Sequence, residues 1–348
     1  MLAALLILLL LPAFAAGYSA LTARAIERRF PNIGELTDVG GLHLNAVHIK
    51  APAGADLPAL VFIHGASGNL RDQYAAFAAP LAGRAEMLFV DRPGHGYSQR
   101  GGPENALPSG QADAIARLMQ RRGIARPIIV GHSFGGAIAA AFAVRHSDRS
   151  AGLLFLAPAT HPWPGGIDWY YRLAARPLLG RLFSHCLVVP LGLRRLESGT
   201  RAVFAPNPRP ADYIDRTGPA LVLRPRTFRH NATDVAQLFA YVTAEAQHYR
   251  RIRAPTVIIT GDRDDIVLRE LHSHGLKRDI AGAELVAIRN LGHKPDHVTT
   301  EVAIAALERL AGQPRDLQGL ARHAEQRIAA AAATAAMPAP EPTAPRVL

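Results

Sequence analysis

A serine hydroxyl is a poor nucleophile at neutral pH unless a base takes its proton and fixed donors stabilise the charge its attack creates. Gly131-His132-Ser133-Phe134-Gly135 meets the local requirements for such a serine. It follows the apolar run Ile128-Ile129-Val130 and leads into Gly136-Ala137-Ile138-Ala139-Ala140, a strong helix start. G-x-S-x-G between a buried strand and a helix is a tight turn that holds the serine in strained backbone geometry. Glycines two residues before and after the serine let strand and helix approach without Cβ clashes. Ser133 then sits at a helix N-terminus, where free N–H groups and the helix dipole favour negative charge.

Other chemistries have weaker support. Fifteen histidines invite a metal, and His293/His297 and His272/His274 are closely spaced, but no H-E-x-x-H or comparable ligand set accompanies them. Gly131–Gly136 has a G-x-x-x-G-G spacing rather than the dinucleotide-binding G-x-G-x-x-G. We therefore expect neither metal nor cofactor. The single cysteine, Cys186, excludes an intrachain disulfide framework and reads as a small buried hydrophobe. The net charge of +11 comes mostly from arginines. No lysine-rich tract or aromatic–basic interleaving accompanies it, so nucleic acid is not an expected partner.

The elements that position Ser133 follow from apolar periodicity. The chain has 348 residues, 49% of them hydrophobic, enough for one large domain with an insertion. Residues 36–50 alternate around Gly40-Gly41 and predict a β-hairpin. Buried-strand patterns follow at 59–63, 87–90, 127–130, 152–156, 256–260 and 284–288, mostly separated by helix-length stretches. Near-continuous apolar strands alternating with helices predict an α/β fold with a mostly parallel sheet covered on both faces. The pattern breaks between 159 and 250, which is rich in aromatics, prolines and arginines. A structureless loop of that length is improbable, so it reads as a helical cap insertion over the sheet's carboxyl edge, where such sheets bind ligands.

The ends differ in composition. Residues 2–23 carry no charged side chain and Arg24, Arg28 and Arg29 follow, which predicts a transmembrane anchor over 1–23 and a membrane-associated protein. Ala13-Phe14-Ala15 offers the alternative of a cleaved signal and a secreted or periplasmic protein. At the other end, 313–348 is Ala- and Pro-rich, with a helix expected around 317–335 and a disordered tail beyond it.

From about Leu36 to Leu310 the chain resembles the α/β-hydrolase superfamily. The resemblance rests on His64-Gly65-Ala66-Ser67-Gly68, on Asp91-Arg92-Pro93-Gly94-His95-Gly96-Tyr97-Ser98, on the Ser133 turn, and on two later segments. Triad members in that superfamily run serine, acid, histidine along the chain. Thr260-Gly261-Asp262-Arg263-Asp264-Asp265 is similar to its G-x-x-D loop, and matching the glycine to Gly261 selects Asp264 as the acid. Asp262 and Asp265 stay open as local alternatives. Leu291-Gly292-His293 looks like the G-H loop, which implies His293 as the base, with His297 facing solvent or a helix start. By the same resemblance the backbone amides of Ala66 and Phe134 form the oxyanion hole, and the Asp91–Ser98 turn is structural.

The implied architecture is a core over 30–158 and 251–312, with the cap over 159–250. The implied activity is a serine hydrolase acting on a small-molecule ester or acyl substrate through an acyl-enzyme. C–C hydrolases, amidases, lipases and cofactor-free haloperoxidases share the arrangement. Epoxide and haloalkane hydrolases carry aspartate where this chain has Ser133. A non-catalytic binding protein on the same fold is the reading of a different class.

Overall fold

The computed structural model describes the backbone of residues 2–336 and the side chains of residues 10–334. Eight strands form one sheet in the order β1-β2-β4-β3-β5-β6-β7-β8. They are β1 (Glu35–Asp38), β2 (His43–Ile49), β3 (Leu60–Ile63), β4 (Met87–Val90), β5 (Ile128–His132), β6 (Gly152–Leu156), β7 (Thr256–Gly261) and β8 (Glu284–Ile288). β1 and β2 form the antiparallel hairpin expected around Gly40-Gly41, and β2 runs antiparallel to β4. Every pairing from β4 through β8 is parallel. The apolar runs thus became strands, because only a strand buried on both faces can hide four or five consecutive large aliphatic residues.

Helices cover both faces. In chain order they are α1 (Leu2–Arg29), α2 (Leu70–Phe77), α3 (Pro108–Arg122), α4 (Phe134–Arg145), α5 (Trp169–Ala174), α6 (Pro177–Phe183), α7 (Val189–Phe204), α8 (Tyr213–Thr217), α9 (Pro225–Glu245), α10 (Ser273–Asp279), α11 (Pro295–Val298), α12 (Thr300–Leu310) and α13 (Leu317–Ala336). Alternation along β3 divides the interior in two. Val61 and Ile63 join α3 and α4 in one core, whereas Leu60 and Phe62 join α2, α12 and α13 in the other. The residues between β6 and β7 fold into α5–α9, with Trp163, Tyr170, Tyr171 and Phe228 packed among them. The expected Pro-rich tail lies outside the described residues.

The N-terminal segment departs from the sequence expectation. Among the described residues, no helix is long and apolar enough to cross a membrane. The described part of α1 is instead attached to the rest of the chain. Ser19, Ile26 and Phe30 are buried, the Glu27 carboxylate pairs with Arg224 at 2.9 Å, and Tyr97 Oη donates to the Phe30 carbonyl at 2.6 Å. Ala13-Phe14-Ala15 lies inside this helix, and the Pro12 carbonyl accepts from Cys186 Sγ at 3.5 Å. The transmembrane helix, the membrane partner and the membrane-associated or signal-cleaved localisation are therefore corrected. The helix is held by its continuation, through Ile26, Glu27 and Phe30, while Leu10, Leu11, Phe14 and Leu21 stay exposed.

Candidate active site

Ser133 stands between β5 and α4 with φ 52° and ψ −118°, a conformation that L-residues avoid. Three surrounding elements impose it. The Ser133 amide donates to the Leu156 carbonyl at 3.0 Å, and its own carbonyl accepts from the amides of Gly136 and Ala159 at 2.8 and 3.0 Å. The flanking glycines are sterically required. A Cβ on Gly135 would lie 2.1 Å from the Ile63 carbonyl oxygen, and one on Gly131 would lie 2.5 Å from the Gly135 oxygen. Gly65 is less tight but also close, since a Cβ there would sit 3.0 Å from Ser133 Cβ. The β3–α2 loop and the serine turn therefore face each other across bare backbone. Among the described residues, neither the Ala66 nor the Phe134 amide donates to a protein acceptor.

Asp264 and His293, 29 residues apart, meet at the ends of β7 and β8: His293 Nδ1 lies 2.7 Å from Asp264 Oδ2. Asp264 Oδ1 accepts the amides of Ile266 and Val267 at 2.9 and 2.8 Å. Burial alone would raise the Asp264 pKa; the His293 ring and these amides outweigh it and hold the carboxyl below its ordinary value. With Asp264 ionised, His293 Nδ1 carries the proton and Nε2 is left as the basic nitrogen. The local alternatives go elsewhere. Asp262 accepts the Asn290 amide at 2.6 Å, and Asp265 is exposed.

Ser133 and His293 are joined through backbone rather than directly. His132 Nε2 donates to the His293 carbonyl at 2.9 Å, and the two imidazoles pack with centroids 4.9 Å apart. No Ser133–His293 hydrogen bond is formed among the described residues.

The Asp91–Ser98 turn holds the loops in place. The Asp91 carboxylate accepts from the Leu70 and Tyr97 amides and from Asn45 Nδ2 at 2.8–2.9 Å. Gly94 and Gly96 take φ +81° and +49°, and a Cβ on Gly96 would collide with that carboxylate at 2.1 Å.

Two buried charge clusters flank the site, and sequence reading missed both. Lys294, next to His293, donates to Asp72 Oδ2 at 2.7 Å and Asp296 Oδ2 at 3.0 Å. His297 is partly buried, and its ring reaches Asp72 Oδ1 at 2.8 Å rather than facing solvent. Asp72, His132 and Asp296 place potential ligand atoms within 4.8 Å of one another, but the Lys294 ammonium already serves both carboxylates. On the opposite side, Arg92 pairs with Asp234 of α9 at 3.1 Å, and Arg100 reaches the same carboxylate at 2.5 Å. Arg92 and Asp234, and Lys294 and Asp72, lie more than a hundred residues apart, so no local pattern announces those pairs; only Lys294 and Asp296 are neighbours in sequence.

Known proteins resemble the chain in the same frame. It is 30% identical to the dihydrolipoyllysine-residue acetyltransferase component of the acetoin cleaving system of Cupriavidus necator, over 49% of this chain and 48% of that protein. It is 38% identical to the pimeloyl-[acyl-carrier protein] methyl ester esterase of Chromobacterium violaceum, over 29% of this chain and 37% of that protein. The chain thus spans half or less of the length of either relative. The enol-lactonase structure from Burkholderia xenovorans superposes with a TM-score of 0.61 at 20% identity, covering 80% of this chain and all of that one. The family model described as alpha/beta hydrolase fold matches residues 58–295, the stretch that carries the sheet from β3 to β8, the serine turn and the Asp264–His293 pair, and the chain belongs to that family.

Proposed function

We propose that this protein is a serine hydrolase that cleaves carboxylic esters through a Ser133–His293–Asp264 triad. The observation that carries the reading is the 2.7 Å Asp264–His293 hydrogen bond beside a serine strained at φ 52°. The methyl ester esterase relative supports an ester as the substrate class. In the first half-reaction Ser133 Oγ attacks the ester carbonyl carbon while its proton passes to His293 Nε2. The tetrahedral oxyanion accepts hydrogen bonds from the Ala66 and Phe134 amides. Collapse breaks the carbonyl–alkoxy bond, and His293 returns the proton to the departing alcohol. Water then adds to the acyl-enzyme by the same route and frees the acid and Ser133. Asp264 holds the imidazole tautomer and stabilises the imidazolium.

We assign residues 159–250 as the cap on this site. Two contacts tie that segment to the oxyanion loop. Tyr171 Oη lies 3.1 Å from Ser67 Oγ, and Asn231 Oδ1 accepts the Ser67 amide at 2.7 Å. Tyr171 stacks on Phe228 and contacts Tyr170, an aromatic wall for the acyl or alcohol portion of the substrate.

A fluorophosphonate probe tests the reading. It should label the parent protein and fail to label Ser133→Ala, and a p-nitrophenyl ester series should rank acyl length. A folded parent that takes no label and turns over no ester would make this a binding protein on a hydrolase fold.

A further inference from the structure

Arg92 is fully buried, and its guanidinium contacts both segments assigned to the oxyanion, one through the Gly65 carbonyl and the other through the Phe134 ring. Nη2 donates to the Gly65 carbonyl at 3.3 Å and lies 3.0 Å from His95 Nε2. Nη1 donates to Gln111 Oε1 at 3.0 Å and Asp234 Oδ2 at 3.1 Å. Cζ sits 4.4 Å from the centroid of the Phe134 ring. One cation therefore touches the peptide preceding Ala66 and the side chain of Phe134.

The Arg92 backbone sets the remaining partner. Its amide donates to His64 Nε2 at 3.1 Å, which requires that nitrogen to be unprotonated. Burial, followed by the nearby Arg92 charge, pushes the His64 pKa well below its ordinary value, so the ring is neutral with its proton on Nδ1. Nδ1 then donates to the Gly65 carbonyl at 2.8 Å. The Gly65 oxygen accepts from both Arg92 and His64, and it belongs to the same peptide unit as the Ala66 N–H. Resonance couples the two ends of a peptide: density drawn toward the oxygen makes the nitrogen's proton a better donor. Chains of hydrogen bonds strengthen one another in this way, more so in a low-dielectric interior.

The cluster's charge acts in the same direction. Arg92 and Arg100 share the single Asp234 carboxylate, so two cations face one anion. Burial lowers the Arg92 pKa only to about 10, and the group stays charged at neutral pH.

We propose that Arg92 is a positioning residue for the oxyanion: it polarises the Gly65–Ala66 peptide and supplies a buried positive charge behind both donors. The proposal deepens the serine-hydrolase reading and rests on it. A purely structural Arg92 would only tether α9 through Asp234.

The test compares the parent, Arg92→Met and Arg92→Lys on one ester and on a trifluoromethyl ketone of matching shape. Ser133 adds to the ketone carbonyl and creates an oxyanion. Arg92→Met should lower kcat and ketone affinity in parallel, by about 10- to 100-fold against the 10²–10³ known for loss of a whole donor. KM should change by less than about threefold, because the ground-state carbonyl carries little charge. Arg92→Lys should recover most of the loss. Ketone affinity and kcat within twofold of the parent in folded Arg92→Met, or a folded Arg92→Lys no better than Met, would overturn the proposal.

Should Arg92→Met not fold, the parent protein decides. In the ketone adduct the Ala66 amide proton should move further downfield than that of Phe134, and an equal or smaller shift overturns the proposal. A parent that neither hydrolyses ester nor binds ketone would instead sink the Ser133 reading itself.

Discussion

The two buried charge clusters flanking Ser133 are built alike and signed oppositely. Behind the β3–α2 loop, two guanidinium groups share one carboxylate, Asp234. Behind His293, one ammonium, Lys294, is shared by two carboxylates, Asp72 and Asp296. Acyl transfer through Ser133 would develop negative charge on the carbonyl oxygen and positive charge on the imidazole. Each end of the site is thus backed by the sign that the proposed reaction would require there. Buried ion pairs are weak sources of stability, because desolvation offsets most of the Coulombic gain. For the proposed reaction, opposite-sign clusters placed this way would act as electrostatic preorganisation.

The comparison can be broken first at the histidine end. Asp264→Asn should cut kcat by about 10⁴-fold, the scale seen when the acid of a triad is neutralised and the imidazole tautomer is lost. Asp262→Asn and Asp265→Asn should stay near the parent, because neither carboxylate reaches His293. Steady-state kinetics on one ester decides, and a loss at position 262 or 265 instead would move the acid assignment.

Lys294→Met is the counterpart of Arg92→Met. It strands two buried carboxylates and should destabilise the fold by about 3–5 kcal/mol, measured by denaturant unfolding. Adding Asp72→Asn should recover part of that loss. If Lys294→Met unfolds like the parent, the histidine-side cluster is not held by its ammonium.

The smallest effect is a pH dependence spread over buried histidines inside and outside the clusters. Burial is the first cause lowering the pKa of His132, His230 and His272 to about 4. Between that value and the ordinary 6.5 the unfolded chain binds more protons than the folded one, so stability must fall as pH drops through this window. His272 accepts the amides of Thr160 and His161 on Nδ1, which protonation would forfeit. Parent stability should decline from pH 7 to 5, and His272→Gln should remove up to about 2 kcal/mol of that decline. An unchanged slope in His272→Gln would show that other groups carry the acid sensitivity.

Legibility followed locality. Met87–Val90, Gly152–Leu156 and Glu284–Ile288 were readable as strands because each is a short apolar run closed by a turn or a helix signal. The serine turn was readable because strand, glycines and helix start are adjacent in the chain. The N-terminal run misled for a related reason: its apolarity is local, whereas its attachment through Glu27 to Arg224 is not. Arg92 and Lys294 were invisible as cluster centres, since Asp234 and Asp72 come from distant elements and charged residues usually mark solvent.

By itself, then, the sequence determined the alternation of strands and helices, the strained turn at Ser133 and the order of the chemically capable residues, because period, glycine placement and apolar runs act over a few residues. The tertiary structure alone decided that Asp264 rather than its neighbours meets His293, that the N-terminal helix is attached through Ile26 and Glu27, and that cations collect behind the β3–α2 loop and carboxylates beside His293. Those outcomes depend on which distant groups share a low-dielectric interior, and chain order does not encode that distance.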